Sequence, residues 1–193
     1  MIIGITGGTG CGKTTLLKLI AEQGGLILDC DAIYHKLLKT DRQMLRAIDT
    51  RFPGTVENGV LDRKKLGAIV FSDESALLDL NRITHAAVKK AVLRRLESKP
   101  KLAAIDAIGL FEGALAELCD ITVAVTAPIE LRVARLMARE GIPEEYARSR
   151  IAAQHGDAWF AEKCDYVLEN DGTLASFQSK CVAFLRQQGI MEP

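Results

Sequence analysis

An α/β fold with a five-stranded parallel sheet is the fold class this chain predicts, and three observations carry it. Five short apolar runs, Ile2 to Thr6, Leu26 to Asp29, Leu102 to Asp106, Ile121 to Thr126 and Tyr166 to Glu169, are mostly followed by helical periodicity. The octet Gly7 to Thr14 reads Gly-Gly-Thr-Gly-Cys-Gly-Lys-Thr, a complete G-x-x-x-x-G-K-[ST] phosphate loop set between the first run and an amphipathic helix. The stretch from residue 30 to residue 101 reads as helix almost throughout, too long for a simple crossover. The expected architecture is a single domain over 1–193: a P-loop NTPase core of the nucleoside monophosphate kinase type at 1–32 and 101–193, a helical insertion at 33–100 and a lid near 139–160.

Ile2, Ile3 and Ile5 are β-branched and lead into the glycines, while Leu16, Leu17, Leu19 and Ile20 form one face of the following helix. The glycines let backbone N–H groups wrap an anion, the helix N-terminus adds its positive end and Lys13 adds a mobile cation. Gly8, Thr9, Gly10, Cys11, Gly12, Lys13, Thr14 and Thr15 are therefore candidate nucleotide contacts, with the Thr14 hydroxyl left to hold Mg²⁺. A mere Gly-rich turn would require both flanks to be accidental.

Asp29 and Asp31 end the second strand, where ligands of parallel sheets bind, so either could take a proton from an attacking hydroxyl; the alternative is that they cap the next helix. In the insertion, Pro53-Gly54 and Asn58-Gly59 mark loops, Ser72 is a candidate cap for a helix carrying Leu77, Leu78, Leu80 and Ile83, and Pro100 ends the segment. Asp106 closes the third strand at a Walker-B-like position. With Gly109 it also matches the weak D-x-x-G pattern of GTPases, but no N-K-x-D guanine-reading motif accompanies it. Pro128 suits the start of a helix through Arg139, Pro143 with Glu144 and Glu145 starts another through Gln154, and a last helix runs from Thr173 to Gln188. Arg132, Arg135, Arg139, Arg148 and Arg150 crowd the first two of these and could clamp phosphates; an ordinary solvated face paired with Glu130, Glu140, Glu144 and Glu145 is the alternative. The loop around Gly141 would let the second helix close over bound nucleotide.

Lys plus Arg and Asp plus Glu both total 25, so no global field draws the chain to nucleic acid or anionic lipid, and Trp159 alone makes no stacking platform. Five widely spaced cysteines without a C-x-x-C pair argue against a disulfide framework or zinc site and fit a reducing cytoplasm. No basic leader precedes the first strand and no apolar run approaches the roughly 18 residues of a membrane span. The expectation is a cytoplasmic monomer acting on small molecules.

The order of motifs resembles that of the dephospho-coenzyme A kinases. The family's D-A-D appears as Asp29-Cys30-Asp31, its L-D-R-x-x-L as Leu61-Asp62-Arg63 through Leu66, and its L-N-x-I-x-H as Leu80-Asn81-Arg82-Ile83-Thr84-His85. L-F-E is Leu110-Phe111-Glu112, R-L-x-x-R is Arg135 to Arg139, A-x-x-R-I-x-x-Q is Ala147 to Gln154 and D-x-V-x-x-N-x-G is Asp165 to Gly172. The resemblance implies transfer of the ATP γ-phosphoryl to the ribose 3′-hydroxyl of dephospho-coenzyme A. Asp31 would be the base, Lys13 would hold the β- and γ-phosphates, Thr14 the Mg²⁺, and Arg139 with Arg150 the migrating charge. Arg135, Asn170 and Gly172 would lie near adenine, while Arg63 and His85 would face the acceptor. Two family prolines are replaced, by Ala86 and Ile108, which removes two fixed φ angles. A P-loop kinase for another small alcohol or a nucleoside monophosphate, and a non-enzymatic nucleotide switch, are the rival functions.

Overall fold

The computed structural model describes residues 1–192. Strand β1 (Ile2–Thr6) runs into the glycine octet and helix α1 (Lys13–Glu22) begins on its lysine. Then follow β2 (Leu26–Asp29), α2 (Cys30–Thr40), α3 (Arg42–Arg51), β3 (Val56–Glu57), β4 (Val60–Leu61), α4 (Arg63–Val70) and α5 (Glu74–Leu96). The chain continues through β5 (Ala103–Asp106), a short 3₁₀ turn (Ala116–Leu118), β6 (Ile121–Thr126), α6 (Ile129–Glu140), α7 (Glu144–Ala152), α8 (Asp157–Lys163), β7 (Tyr166–Glu169) and α9 (Leu174–Gln187). Two compact units form: one of Met1–Leu28, Pro100–Leu110 and the described chain from Leu115 onward, the other of Asp29–Lys99 and Phe111–Ala114.

The first unit holds a five-stranded sheet in the order β2-β5-β1-β6-β7. The pairs β1 with β5, β1 with β6 and β6 with β7 are parallel. Ile3 and Ile5 project from the central strand into a core with Leu16, Leu17 and Ile20 of α1, Val123 and Val125 of β6, and Phe177, Cys181, Phe184 and Leu185 of α9. Each large apolar side chain so buried contributes about 1.5–3 kcal/mol. The chain leaves β1 toward one side of the sheet and later extends it on the other through β6 and β7, so the end of β1 is the crevice where such sheets bind ligands. A smaller cluster of Val133 and Leu136 with Ala147 and Ile151 packs α6 on α7. Turning α7 about Gly141 alone would break that cluster.

The second unit is mostly helical, and its core sets Met44, Ile48 and Phe52 against Leu66, Val70 and Ala76. The structure moves the expected cap of α5 from Ser72 to Asp73, whose carboxylate accepts from the N–H groups of Ser75 and Ala76. Ser72 instead donates back to the carbonyls of Ala68 and Ile69, ending α4. A carboxylate is favoured over a hydroxyl there because it also meets the helix dipole. Asn58-Gly59, read from sequence as a loop, is the tight turn of a small antiparallel hairpin: φ is 52° at Asn58 and 77° at Gly59, the combination a two-residue turn with the right twist requires. Helix α8 was not expected, because its seven residues bury only Phe160 and show no periodicity.

Candidate active site

The phosphate loop leaves β1 and enters α1 through Gly12, which has no side chain to cap the first turn. The Thr15 N–H turns back to the Gly12 carbonyl at 3.0 Å, while the positive end of the helix faces the loop, where an anion would bind. Lys13 Nζ donates to the Gly7 carbonyl at 3.0 Å and lies 3.9 Å from Asp106 Oδ1. Asp106 reaches this position because β5 pairs in register with β1, Ile5 opposite Asp106. Thr14 is exposed in the first turn of α1. Cys11 is buried, and that burial pushes its thiol up against the opposing pull of the Lys13 charge, so the thiol stays protonated.

The loop is gripped from outside by side chains of later elements. Arg135 Nη1 donates to the Gly10 carbonyl at 3.3 Å and, at a longer 3.5 Å, to that of Cys11. Its Nη2 donates to Asn170 Oδ1 at 3.0 Å, and Asn170 Nδ2 donates to the Cys11 carbonyl at 2.8 Å. Arg135 and Asn170 are thus brought together, and both hold loop carbonyls. Buried Arg132 donates through Nε to the Thr9 carbonyl at 2.9 Å, and the Thr9 N–H donates to Gln154 Oε1 at 2.8 Å. Arg132 and Gln154 did not emerge from sequence as loop contacts. The available signal was the spacing Arg132, Arg135, Arg139, which lines up along one helix.

The arginine cluster therefore divides. Arg139 and Arg150 each donate to one oxygen of Glu140, which joins the end of α6 to α7 and places the two guanidinium groups together. The bond from Arg139, then that from Arg150, holds the Glu140 carboxyl below the usual carboxylate range. Arg148 pairs with Glu130 at 2.9 and 2.7 Å and with Glu144 at 2.8 Å. For Arg148 the clamp expectation is corrected in favour of the solvated face. Arg135 and Arg139, although four residues apart, aim at different groups. Gly172 lies two residues beyond Asn170 in an exposed loop.

In the second unit Asp29 is the N-cap of α2, accepting from the Ala32 N–H at 2.9 Å, so the capping alternative holds for it. Asp31 sits exposed in the first turn of the same helix. Arg63 opens α4, capped by Asp62, and is exposed. Its charge reaches Tyr34 on α2, whose hydroxyl is pushed up by burial and pulled back by Arg63. His85 is half-buried on α5, the helix against which α2 packs.

A family model described as dephospho-CoA kinase matches residues 1–176. The dephospho-CoA kinase of Geobacillus kaustophilus is 35% identical over 100% of this chain and 98% of its own. That of Deinococcus radiodurans is 36% identical over 97% and 92%. The solved dephospho-CoA kinase from Campylobacter jejuni has a TM-score of 0.69 at 26% identity and covers 98% of both chains. A shikimate kinase from Bacteroides thetaiotaomicron, with a TM-score of 0.55 at 16% identity over 98% of both chains, shares the fold. With the phosphate loop, its lysine and the paired arginines in place and the match running almost end to end, this chain belongs to the dephospho-CoA kinase family.

Proposed function

We propose that this chain transfers the γ-phosphoryl group of ATP to the ribose 3′-hydroxyl of dephospho-coenzyme A, giving coenzyme A and ADP. The observation that carries the reading is the phosphate loop at the end of β1 opening into a helix without a side-chain cap, with Lys13 between it and Asp106. Phosphoryl transfer asks the protein mainly for positioning and charge neutralisation. In this reading Lys13 leaves the Gly7 carbonyl for the β- and γ-phosphates, Arg139 and Arg150 exchange Glu140 for the migrating phosphoryl oxygens, and Asp31 accepts the hydroxyl proton. Arg63 and His85 orient the acceptor, and Arg135 with Asn170 and Gly172 borders the adenine.

The donors offered to a metal, the Thr14 hydroxyl and the Asp106 carboxylate, are oxygen only and fit Mg²⁺. Among the described residues no group of three or more His, Cys, Asp and Glu side chains is gathered to hold an ion, which fits a cation bound chiefly by phosphate and water. When bound, Mg²⁺ supplies charge neutralisation on the β- and γ-phosphates. Among the described residues no helix is long and apolar enough to cross a membrane. All five cysteines are free thiols, which supports a reducing cytoplasm as the place of action. In this reading the enzyme works as a monomer.

Initial rates with ATP and a panel of acceptors, dephospho-coenzyme A, shikimate and nucleoside monophosphates, test this reading. It predicts a kcat/KM for dephospho-coenzyme A well above that of every other acceptor. Equal or better use of another alcohol would move the assignment to that substrate.

A further inference from the structure

Four of the five carbonyls from Gly7 to Cys11 accept from side chains: Gly7 from Lys13, Thr9 from Arg132, Gly10 from Arg135, and Cys11 from Arg135 and Asn170, while that of Gly8 accepts from the Cys11 N–H. No peptide bond among the described residues is cis, so each plane carries its N–H opposite its C=O. Holding the carbonyls of Thr9 and Cys11 on Arg132, Arg135 and Asn170 therefore turns the N–H groups of Gly10 and Gly12 the other way, toward the space an anion would fill. At Thr9 the grip is double, since Gln154 Oε1 takes its N–H at 2.8 Å while Arg132 Nε takes its carbonyl at 2.9 Å. The same two side chains meet each other, Arg132 Nη2 to Gln154 Oε1 at 3.4 Å, and Arg132 Nη1 meets Asp157 Oδ1 at 3.3 Å. Asp157 in turn accepts from the Ala127 N–H after β6.

Arg132 is only 2% exposed, and a buried guanidinium is costly unless it is fully engaged. The approach is so close that a Cβ on Gly8 would stand 2.0 Å from Arg132 Nη2, so any side chain at that loop position would have to displace the guanidinium. Gln154 follows α7 by two residues and Arg150 by four, so its bond to Thr9 also anchors the end of the helix that carries Arg150.

We infer that Arg132 and Gln154 are positioning residues for the donor nucleotide: by clamping both backbone polar groups of Thr9 they fix the loop in its anion-receiving shape and tie α7 to it. The inference rests on the proposed use of ATP by this loop and assigns neither residue a contact with substrate. It also takes the Thr9 N–H out of the phosphate-binding set expected from sequence.

The test compares wild type with Gln154→Met, which keeps the volume and removes the acceptor, and with Arg132→Lys, which keeps the charge and loses the fork. Calorimetric titration with ATP and with inorganic tripolyphosphate, which has no base or sugar, is combined with KM values for both substrates and a melting curve. Both variants should bind ATP and tripolyphosphate about tenfold or more weakly, with the KM for dephospho-coenzyme A within about twofold of wild type. ATP affinity within about twofold of wild type in folded Gln154→Met would overturn the inference. So would parallel loss of both substrates, which is the mark of general damage. If Arg132→Lys fails to fold, Gln154→Met decides alone. Failure of wild type to form coenzyme A would sink the proposed reaction yet leave the tripolyphosphate comparison readable.

Discussion

Three side chains separate the charge, proton and transition-state parts of the proposed chemistry. Lys13 Nζ makes one hydrogen bond to a loop carbonyl and an ion pair with Asp106, so Lys13→Ala should remove most phosphoryl transfer while the melting curve stays close to wild type. An unfolded variant, or one with near-normal turnover, would show that the lysine serves packing or nothing. Asp31 is exposed and is not the cap of its helix, so Asp31→Asn should cost little stability yet cut kcat by roughly 10²- to 10⁴-fold with ATP affinity nearly intact. For Arg139→Ala, kcat should fall more than ATP binding weakens, because a cation at the end of α6 acts on charge that develops during transfer. A raised KM with unchanged kcat would instead mark uniform ground-state binding. Residue identity was legible where a motif has one chemical use, as with Lys13. It was not legible for Arg132 and Gln154, whose partners are backbone groups more than a hundred residues away that no local pattern announces.

At the scale of elements, helix ends carry the clearest consequences. Asp29 caps α2, so Asp29→Ala should destabilise the protein by about 1 kcal/mol, Asp29→Asn should restore most of it, and the Mg²⁺ requirement should be the same in both. A shifted metal dependence would instead give Asp29 a role at the ion. The joint between β6 and the start of β7 depends on Asp165, whose Oδ2 accepts from both the hydroxyl and the N–H of Thr122 at 2.7 Å. Those bonds, the hydroxyl's foremost, hold its carboxyl below the usual carboxylate range. A depressed carboxyl stabilises the fold above its unfolded value of about 3.9 and loses that contribution as pH falls through the folded value. Asp165→Asn should therefore melt below wild type at neutral pH, the gap closing as the pH drops below about 4. A gap independent of pH would mean that shape, not charge, is what Thr122 reads. The central strands β1, β5 and β6 were legible because burial on both faces leaves nearly continuous apolar runs, whereas the two-residue strands of the hairpin and the short α8 carry too few residues for any period to show.

For the molecule as a whole, the order of elements was legible from strand and helix periodicity, and the nucleotide half of the site from the octet at the end of β1. The acceptor half was reached only through the resemblance, since Arg63 and His85 are ordinary helix residues in pattern and burial. That asymmetry sets where the account is most exposed: donor chemistry follows from the loop, and acceptor identity does not. The most direct measurement is to incubate the protein with γ-labelled ATP, Mg²⁺ and dephospho-coenzyme A and to locate the label in the product. The account predicts one labelled phosphate per molecule on the ribose 3′-oxygen of coenzyme A, formed with an equal amount of ADP and, in Asp31→Asn, formed roughly 10²- to 10⁴-fold more slowly. Label released only as inorganic phosphate, or placed on any other hydroxyl, would contradict it.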